Sequence, residues 1–160
     1  MPAMKQVATI PLVLLLAGLT TPVAFPASEE DRLKDLQKER AKLEKESDPI
    51  DRAKIGIKIS EILLEDVGES VRDGDFSGME FQLTAYAETI ENAHKALIDS
   101  GRNAVKKPGG FKELEIALRK HVRQFDEFAR MLNLQKRLPL EKAKSLATGI
   151  RDKLLKALFP

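Results

Sequence analysis

Apolar residues recur at alternating spacings of three and four along two long stretches of the chain, and this pattern restricts the fold more than any other feature. Each stretch keeps the alternation without a break over about three heptads. Apolar residues would fall at every second position in a strand, so the pattern predicts two long helices that each carry one apolar seam. The seam positions are Phe76, Met79, Leu83, Tyr86, Ile90, Ala93 and Leu97 in the first helix, and Phe111, Leu114, Leu118, His121, Phe125, Phe128 and Leu132 in the second.

Three further segments carry helical signals. Residues 28–47 are highly charged, with Ser28 as the expected N-cap and a thin seam of Leu33, Leu36 and Leu43. The next segment begins at Asp48 and Pro49, a favourable helix start, and is apolar on two sides. The last segment keeps the heptad register from Leu140 to Leu154. The chain is therefore predicted to contain five helices in succession.

Most of these segments are separated by short turns, which place consecutive helices side by side and antiparallel. Ser77 and Glu80, at capping-box spacing, are expected to start the first seam helix. The only long connection, residues 101–110, reads GRNAVKKPGG. We predict an all-α fold: an antiparallel bundle of four core helices in residues 48–160, with the charged helix of residues 28–47 packed alongside or projecting.

The first 27 residues have the order of a secretory signal peptide. Lys5 is the only charge before Glu29, and it precedes the apolar run VATIPLVLLLAGLTTPVAF and the small residues of FPAS. We predict cleavage after Ala27, with Ala24 as the second choice. The alternative is an uncleaved membrane anchor, because the run is nearly long enough to span a bilayer. The prolines that interrupt the run favour the cleaved signal.

Export implies a location in the periplasm or outside a bacterial cell. The stretch LLLAGLT resembles the approach to a bacterial lipoprotein signal, but Leu19 stands where that family carries its lipid-bearing cysteine, so no lipid is expected there.

The chain has no cysteine, which excludes disulfides, a thiolate nucleophile and covalently attached c-type haem. With 27 basic and 25 acidic residues, it also has no strong net field to attract nucleic acid.

Two histidines provide the only hint of a metal site. Glu91 and His94 have the E-x-x-H spacing that resembles ferritin-like di-iron bundles. The full di-metal set is not expected, because Leu118 stands three residues before His121 and the other helices show no inward carboxylate. A single zinc or copper ion held by His94, His121 and either Glu91 or Asp126 is an alternative. The favoured interpretation is structural, with His121 in the seam and His94 flanking it.

No nucleophile elbow or phosphate loop is present, so we predict neither catalytic residues nor a cofactor. The charged helix mixes both signs around its leucines and resembles coiled-coil or partner helices, which favours docking to a protein or self-association. We expect an exported, non-catalytic helical protein with a structural or protein-interaction role, and no membrane span once the signal is cleaved.

Two alternatives to this role stay open. One is a periplasmic bundle that binds a metal or a small ligand. The other is a periplasmic chaperone: the chain resembles periplasmic stress chaperones in size, export and helix content. It departs from their L-T-x-x-Q pattern, because Leu83 and Thr84 are followed by AYAE.

The signal peptide gives the first testable prediction. Mass spectrometry of the exported protein should find a chain that begins at Ser28, because signal peptidase cleaves after small residues such as those of FPAS. A mass that still includes Met1 or Met4 would contradict the prediction and support the membrane-anchor alternative.

Overall fold

The computed structural model describes residues 28–160, and the predicted signal peptide of residues 1–27 lies outside the described residues. The described chain is helical throughout, without strands, and five α-helices are joined by four connections. A short 3₁₀ turn, Leu134–Lys136, lies in the last connection. The helices are α1 (Glu29–Lys45), α2 (Pro49–Asp73), α3 (Phe76–Asp99), α4 (Phe111–Met131) and α5 (Leu138–Leu158).

Two of the three predicted helix starts are confirmed. The Ser28 side chain accepts a hydrogen bond from the backbone N–H of Asp31 at 3.3 Å, and the Asp48 carboxylate accepts one from Ile50 N–H at 2.8 Å. Each cap satisfies a backbone donor that the first helical turn leaves without a partner. The N-terminal boundaries of α1 and α2 therefore follow from the sequence.

The predicted capping box of Ser77 and Glu80 is wrong. Asp75 caps α3 instead and accepts a hydrogen bond from Gly78 N–H at 3.0 Å. Gly74, with a φ of +73°, ends α2 in the left-handed conformation that glycine adopts easily. Because this residue turns the chain so sharply, α3 begins at Phe76, and Ser77 already lies inside its first turn.

The bundle consists of two antiparallel hairpins, α2 with α3 and α4 with α5, as the short turns predict. The hairpins pack on each other through α2 against α4 and α3 against α5. This leaves α3 and α4 on a diagonal, where the long connection between them joins the two hairpins. Both α2 and α4 begin at the same end of the bundle, since Gly110 approaches Ile50 at the start of α2.

The two seams predicted from the heptad pattern form the core. In α3 every seam residue from Met79 to Leu97 is buried, and in α4 those from Phe111 to Phe125 are buried, together with Leu132. Phe76 and Phe128 are partly buried at the margins. Val67, Leu64 and Ile59 of α2 and Leu140, Ala147 and Leu154 of α5 complete the same cluster. The all-α bundle prediction is thus confirmed.

The helix α1 packs on α2, but through a different face from the one predicted. Leu33, assigned to the leucine seam, is 53% exposed, whereas Arg32 is buried. The Arg32 Nε atom lies 2.7 Å from an Asp66 carboxylate oxygen, and its guanidinium also pairs with Glu69. The buried stripe runs through Arg32, Leu36, Glu39 and Leu43 because Arg32 can bury its aliphatic stem while α2 neutralises its charge.

Truncation of a core leucine on either seam should destabilise the fold. Leu83→Ala and Leu118→Ala should each lower the free energy of unfolding by about 2–5 kcal/mol, because both side chains are buried and the resulting cavity cannot fully collapse. Urea unfolding followed by circular dichroism measures this change. Leu134→Ala is the matched control, since Leu134 is 80% exposed and its truncation should change stability by less than about 0.5 kcal/mol. Equal effects at all three positions would show that the seams are misplaced.

Candidate functional site

The two seams meet at a buried polar pair in the centre of the bundle. The Tyr86 hydroxyl of α3 lies 3.0 Å from Nδ1 of His121 on α4, and His121 is only 2% exposed. Phe125 stands edge-on to the Tyr86 ring at a centroid distance of 5.2 Å, which closes the pair in apolar surroundings. The pair links the diagonal helices, so it spans the core rather than lining a cleft.

Burial keeps both groups neutral. It lowers the pKa of His121 to about 4, with the nearby charge of Lys120 acting in the same direction. It also raises the pKa of the Tyr86 hydroxyl far above its ordinary value. Nε2 of His121 has no hydrogen-bond partner among the described residues. An imidazole that stays neutral in an apolar core supports packing and one hydrogen bond.

The residues considered for a metal site do not converge. His94 lies on the α3–α5 side of the bundle in a shallow cleft shared with Glu91 and Lys153, away from the Tyr86 pair. Burial, with Lys153 second, lowers the pKa of His94. Asp126 is paired with Lys144 at 2.6 Å. Within residues 28–160, no three or more His, Cys, Asp or Glu side chains are arranged to hold a metal ion.

Sequence reasoning missed two buried carboxylates. Glu115 of α4 is buried and pairs with Arg151 of α5 at 2.9 Å and with Arg119 at 3.3 Å. Glu39 of α1 is buried and pairs with Lys42, whose hydrogen bond lowers the pKa of the Glu39 carboxyl. Glu115 lies on the same helix as His121, but Glu39 shows that the expectation of no inward carboxylate on the other helices is wrong for α1. Glu39 lies three residues after Leu36 and four before Leu43, so the heptad spacing itself contained the signal.

A large concave surface lies between α1 and α3, with α2 as its floor, and we call it the α1–α3 groove. It has a volume of about 690 Å³ toward the end of α3 and about 480 Å³ toward its start. Arg40 borders both parts, so the two adjoin at this residue of α1. From Phe81 to Asp99 the α3 wall extends over about five helical turns, roughly 27 Å at 1.5 Å per residue.

The α1–α3 groove is lined by both apolar and charged side chains, and the α2 residues at its end near Phe81 are mainly charged. Phe81 is 76% exposed at one mouth, where Leu33 of α1 stands opposite. The helices α2 and α3 approach closely at Gly56, where a Cβ would lie only 3.0 Å from the Ala93 Cβ. The apolar lining comprises Leu33, Leu36 and Leu43 of α1, Gly56, Ile59 and Leu63 of α2, and Phe81, Ala85, Ala93 and Ala96 of α3.

The two ends of the α1–α3 groove differ in charge. Five carboxylates border the end near Phe81, against one basic side chain, Arg40. Basic and acidic side chains are nearly balanced at the other end. The acidic set is Glu29, Asp66, Glu69, Asp73 and Asp75, and the mixed set is Arg40, Arg52, Lys95, Glu88 and Asp99. An elongated apolar ligand with positive charge at one end complements this pattern.

Comparisons with known proteins find no matching family model, no similar curated protein and no similar solved structure. None of the helices in residues 28–160 combines the length and the apolar character that crossing a membrane requires. The assignment of function therefore depends on the surfaces of the chain itself.

The neutral His121 should make the fold less stable in acid. Its pKa in the folded protein, about 4, is below the ordinary 6.5, so the unfolded chain binds the extra proton first as pH falls. Stability is fully present above about pH 6.5, and about 2 kcal/mol should be lost between about pH 7.5 and pH 5. Urea unfolding at both pH values measures the loss.

His121→Gln is the control for this pH dependence, because glutamine keeps a polar group near Tyr86 but does not titrate. The variant should lose about 2 kcal/mol less than the natural protein over the same interval. The same loss in both proteins would rule out His121 as the cause. If zinc instead raised the melting temperature at neutral pH, and both His94→Ala and His121→Ala abolished that rise, the metal-site alternative would replace the structural role.

Proposed function

We propose that this protein is an exported, non-catalytic interaction protein of the bacterial envelope that binds an amphipathic helix of a partner protein in the α1–α3 groove. The observation that carries the proposal is the groove itself, with Phe81 and Leu33 exposed at its mouth. Helix-in-groove binding uses such a surface, in which apolar side chains of the ligand enter at helical spacing.

The dimensions fit one helix. A wall of about five turns accommodates about 18 residues of a ligand helix, and the lining from three helices gives contacts on more than one side. Such a ligand would complete the layer that α1 leaves open, since α1 packs extensively on α2 and hardly touches α3. Burial of Phe81 and Leu33 supplies apolar area that the free protein exposes to water.

The charges determine which helix fits. The carboxylates near Phe81 favour a ligand whose basic side chains flank its apolar face at that end, and they disfavour an acidic ligand. Asp66 and Glu69 already pair with Arg32, and Asp75 caps α3, so Glu29 and Asp73 are the carboxylates with most to gain from a basic partner. We therefore propose a basic amphipathic helix as the ligand.

A periplasmic chaperone would need a different kind of binding surface from the α1–α3 groove. A chaperone must accept many unfolded clients, for which flexible or extensive apolar surfaces are suited. The α1–α3 groove is lined by three helices, and the Arg32 ion pairs hold α1 in place on α2. These features favour one class of helical ligand over many unfolded segments.

Site-specific photocrosslinking in cells tests the proposal. A benzoyl-phenylalanine placed at Phe81 should crosslink to one discrete protein species, whereas the same probe at Leu134, which is as exposed but does not line the groove, should not. A ladder of many crosslinked species from position 81 would favour the chaperone alternative. No crosslink from position 81, or equal crosslinks from both positions, would overturn the groove proposal.

The captured partner then permits a quantitative test. Phe81→Asp should weaken its binding by at least about tenfold, because a buried aromatic anchor is replaced by a charge that must be desolvated. The melting temperature of the variant should be unchanged, since Phe81 does not belong to the core. Leu134→Asp, which introduces the same charge elsewhere, should leave the affinity unchanged.

A further inference from the structure

Two segments that are rich in basic residues and free of acidic ones meet at one end of the bundle. They are residues 101–112, between α3 and α4, and residues 153–160, at the end of α5. Ile98, Arg102 and Val105 border a common hollow with Lys156 and Pro160, so the segments are neighbours in space. We call this surface the basic end; its cations are Arg102, Lys106, Lys107, Lys112, Lys153 and Lys156.

The basic end also exposes large apolar side chains. Val105 is 54% exposed and Phe159 is 76% exposed, and Ile98 of α3 is about half exposed. The order of residues 102–107, Arg-Asn-Ala-Val-Lys-Lys, places Val105 directly between a buried alanine and two exposed lysines. Exposed apolar side chains surrounded by cations are typical of surfaces that dock on a lipid bilayer.

The 101–110 connection holds this arrangement in place. Ala104 is buried, the Asn103 side chain accepts a hydrogen bond from Lys106 N–H at 3.0 Å, and Asn103 O accepts one from Lys107 N–H at 2.9 Å. Arg102 pairs with Asp48 at 2.8 Å and ties the connection to the start of α2. Val105 therefore faces water because the local fold directs it there.

Most cations of the basic end have no ion pair. Arg102, paired with Asp48, is the only one of the six with an ion pair among the described residues, and Glu113 is bonded to Gly110 N–H at 2.7 Å. The carboxylates that adjoin the two segments are Asp48, Asp99, Glu113 and Asp152, so the six cations outnumber them. The basic end therefore keeps a net positive charge.

We propose that the basic end docks the protein on an anionic lipid bilayer. Val105, Ile98 and Phe159 would enter the interface between headgroups and acyl chains, while the lysines contact lipid phosphates. Each cation near an anionic bilayer strengthens binding severalfold, and the inserted apolar side chains make the contact more than electrostatic. This inference is independent of the proposed groove ligand, because the two surfaces share no residue.

Fluorophores attached to single cysteines test this docking, and the absence of natural cysteine makes the labelling specific. The exported protein would carry an environment-sensitive fluorophore at Val105→Cys or, as the matched control at the opposite end of the bundle, at Leu134→Cys. Vesicles of phosphatidylglycerol with phosphatidylethanolamine should shift the emission from position 105 to the blue. Phosphatidylcholine vesicles should not shift it, and position 134 should respond to neither.

Two charge variants then separate this surface from general attraction. Lys106→Glu with Lys107→Glu should weaken binding to the anionic vesicles by more than about tenfold, whereas Arg130→Glu with Lys142→Glu, an equal change at the opposite end, should have little effect. Equal losses from both pairs, or a larger response at position 134 than at 105, would overturn the proposal.

The apolar contribution is tested by Val105→Ser together with Phe159→Ser. This variant should weaken vesicle binding severalfold while its melting temperature stays unchanged, because both side chains are exposed. Unchanged vesicle binding would overturn bilayer docking and indicate a purely electrostatic site for a soluble anion. Photocrosslinking from position 81 should be unaffected by all of these substitutions, so failure here is distinguishable from failure of the groove proposal.

Discussion

The hydrogen bond between Tyr86 and His121 fixes how the two hairpins meet. It is the polar contact between the diagonal helices α3 and α4, at the middle of both apolar seams. In an otherwise apolar interface, many relative positions of two leucine-rich seams have similar energies. A buried polar pair makes one position preferable, because sliding either helix would leave the hydroxyl and the imidazole without a partner. With no disulfide to help, this register depends on packing and on this one bond.

The helix α1 packs outside the core of the other four. Helices α2, α3, α4 and α5 bury their seams against each other, and α1 contacts the outer side of α2. It holds that position with few apolar residues, through the Arg32 ion pairs and through Arg52, which donates hydrogen bonds to Leu43 O and Glu46 O at the end of α1. Since α1 is a single helix on a broad surface, the space beside α3 stays open. The α1–α3 groove is therefore a direct consequence of a fifth helix packed on a complete four-helix core.

Heptad spacing was sufficient to predict the seams of α3 and α4, because burial of a continuous apolar stripe dominates the folding energy of a helix. It failed where a charged residue replaces an apolar one in the stripe. Arg32 and Glu39 of α1 face α2, and a search for apolar residues alone passes over them, although Glu39 keeps the heptad spacing between Leu36 and Leu43. Their partners are on α2 or one turn away. Likewise, Asp75 displaced Ser77 as the cap of α3, because the conformation of Gly74 determines where the turn ends.

The metal candidates could be found in the sequence but not judged from it. Glu91 and His94 share a face at E-x-x-H spacing. A metal site also needs ligands from neighbouring helices, however, and the position of His121 relative to them depends on how the two hairpins pack together. The α1–α3 groove could not be predicted from the sequence for a related reason. It is formed by the space between three helices, and along the chain its lining residues have the spacing of ordinary seam or surface positions.

The two proposed surfaces lie at different positions along the axis of the bundle, which would fix how the groove is oriented when the basic end is docked on lipid. The groove runs parallel to the helices, and its acidic mouth near Phe81 is at the end of the bundle opposite the basic end. A protein that docks its basic end on anionic lipid would therefore hold the acidic mouth away from the bilayer, where the repulsion between carboxylates and lipid phosphates is smallest. A basic amphipathic helix would itself be attracted to the same lipid. In this orientation, the carboxylates near Phe81 and the anionic lipid, which would compete for the basic helix, are separated by the length of the bundle. A helix bound at the acidic mouth would then have that end held away from the membrane surface.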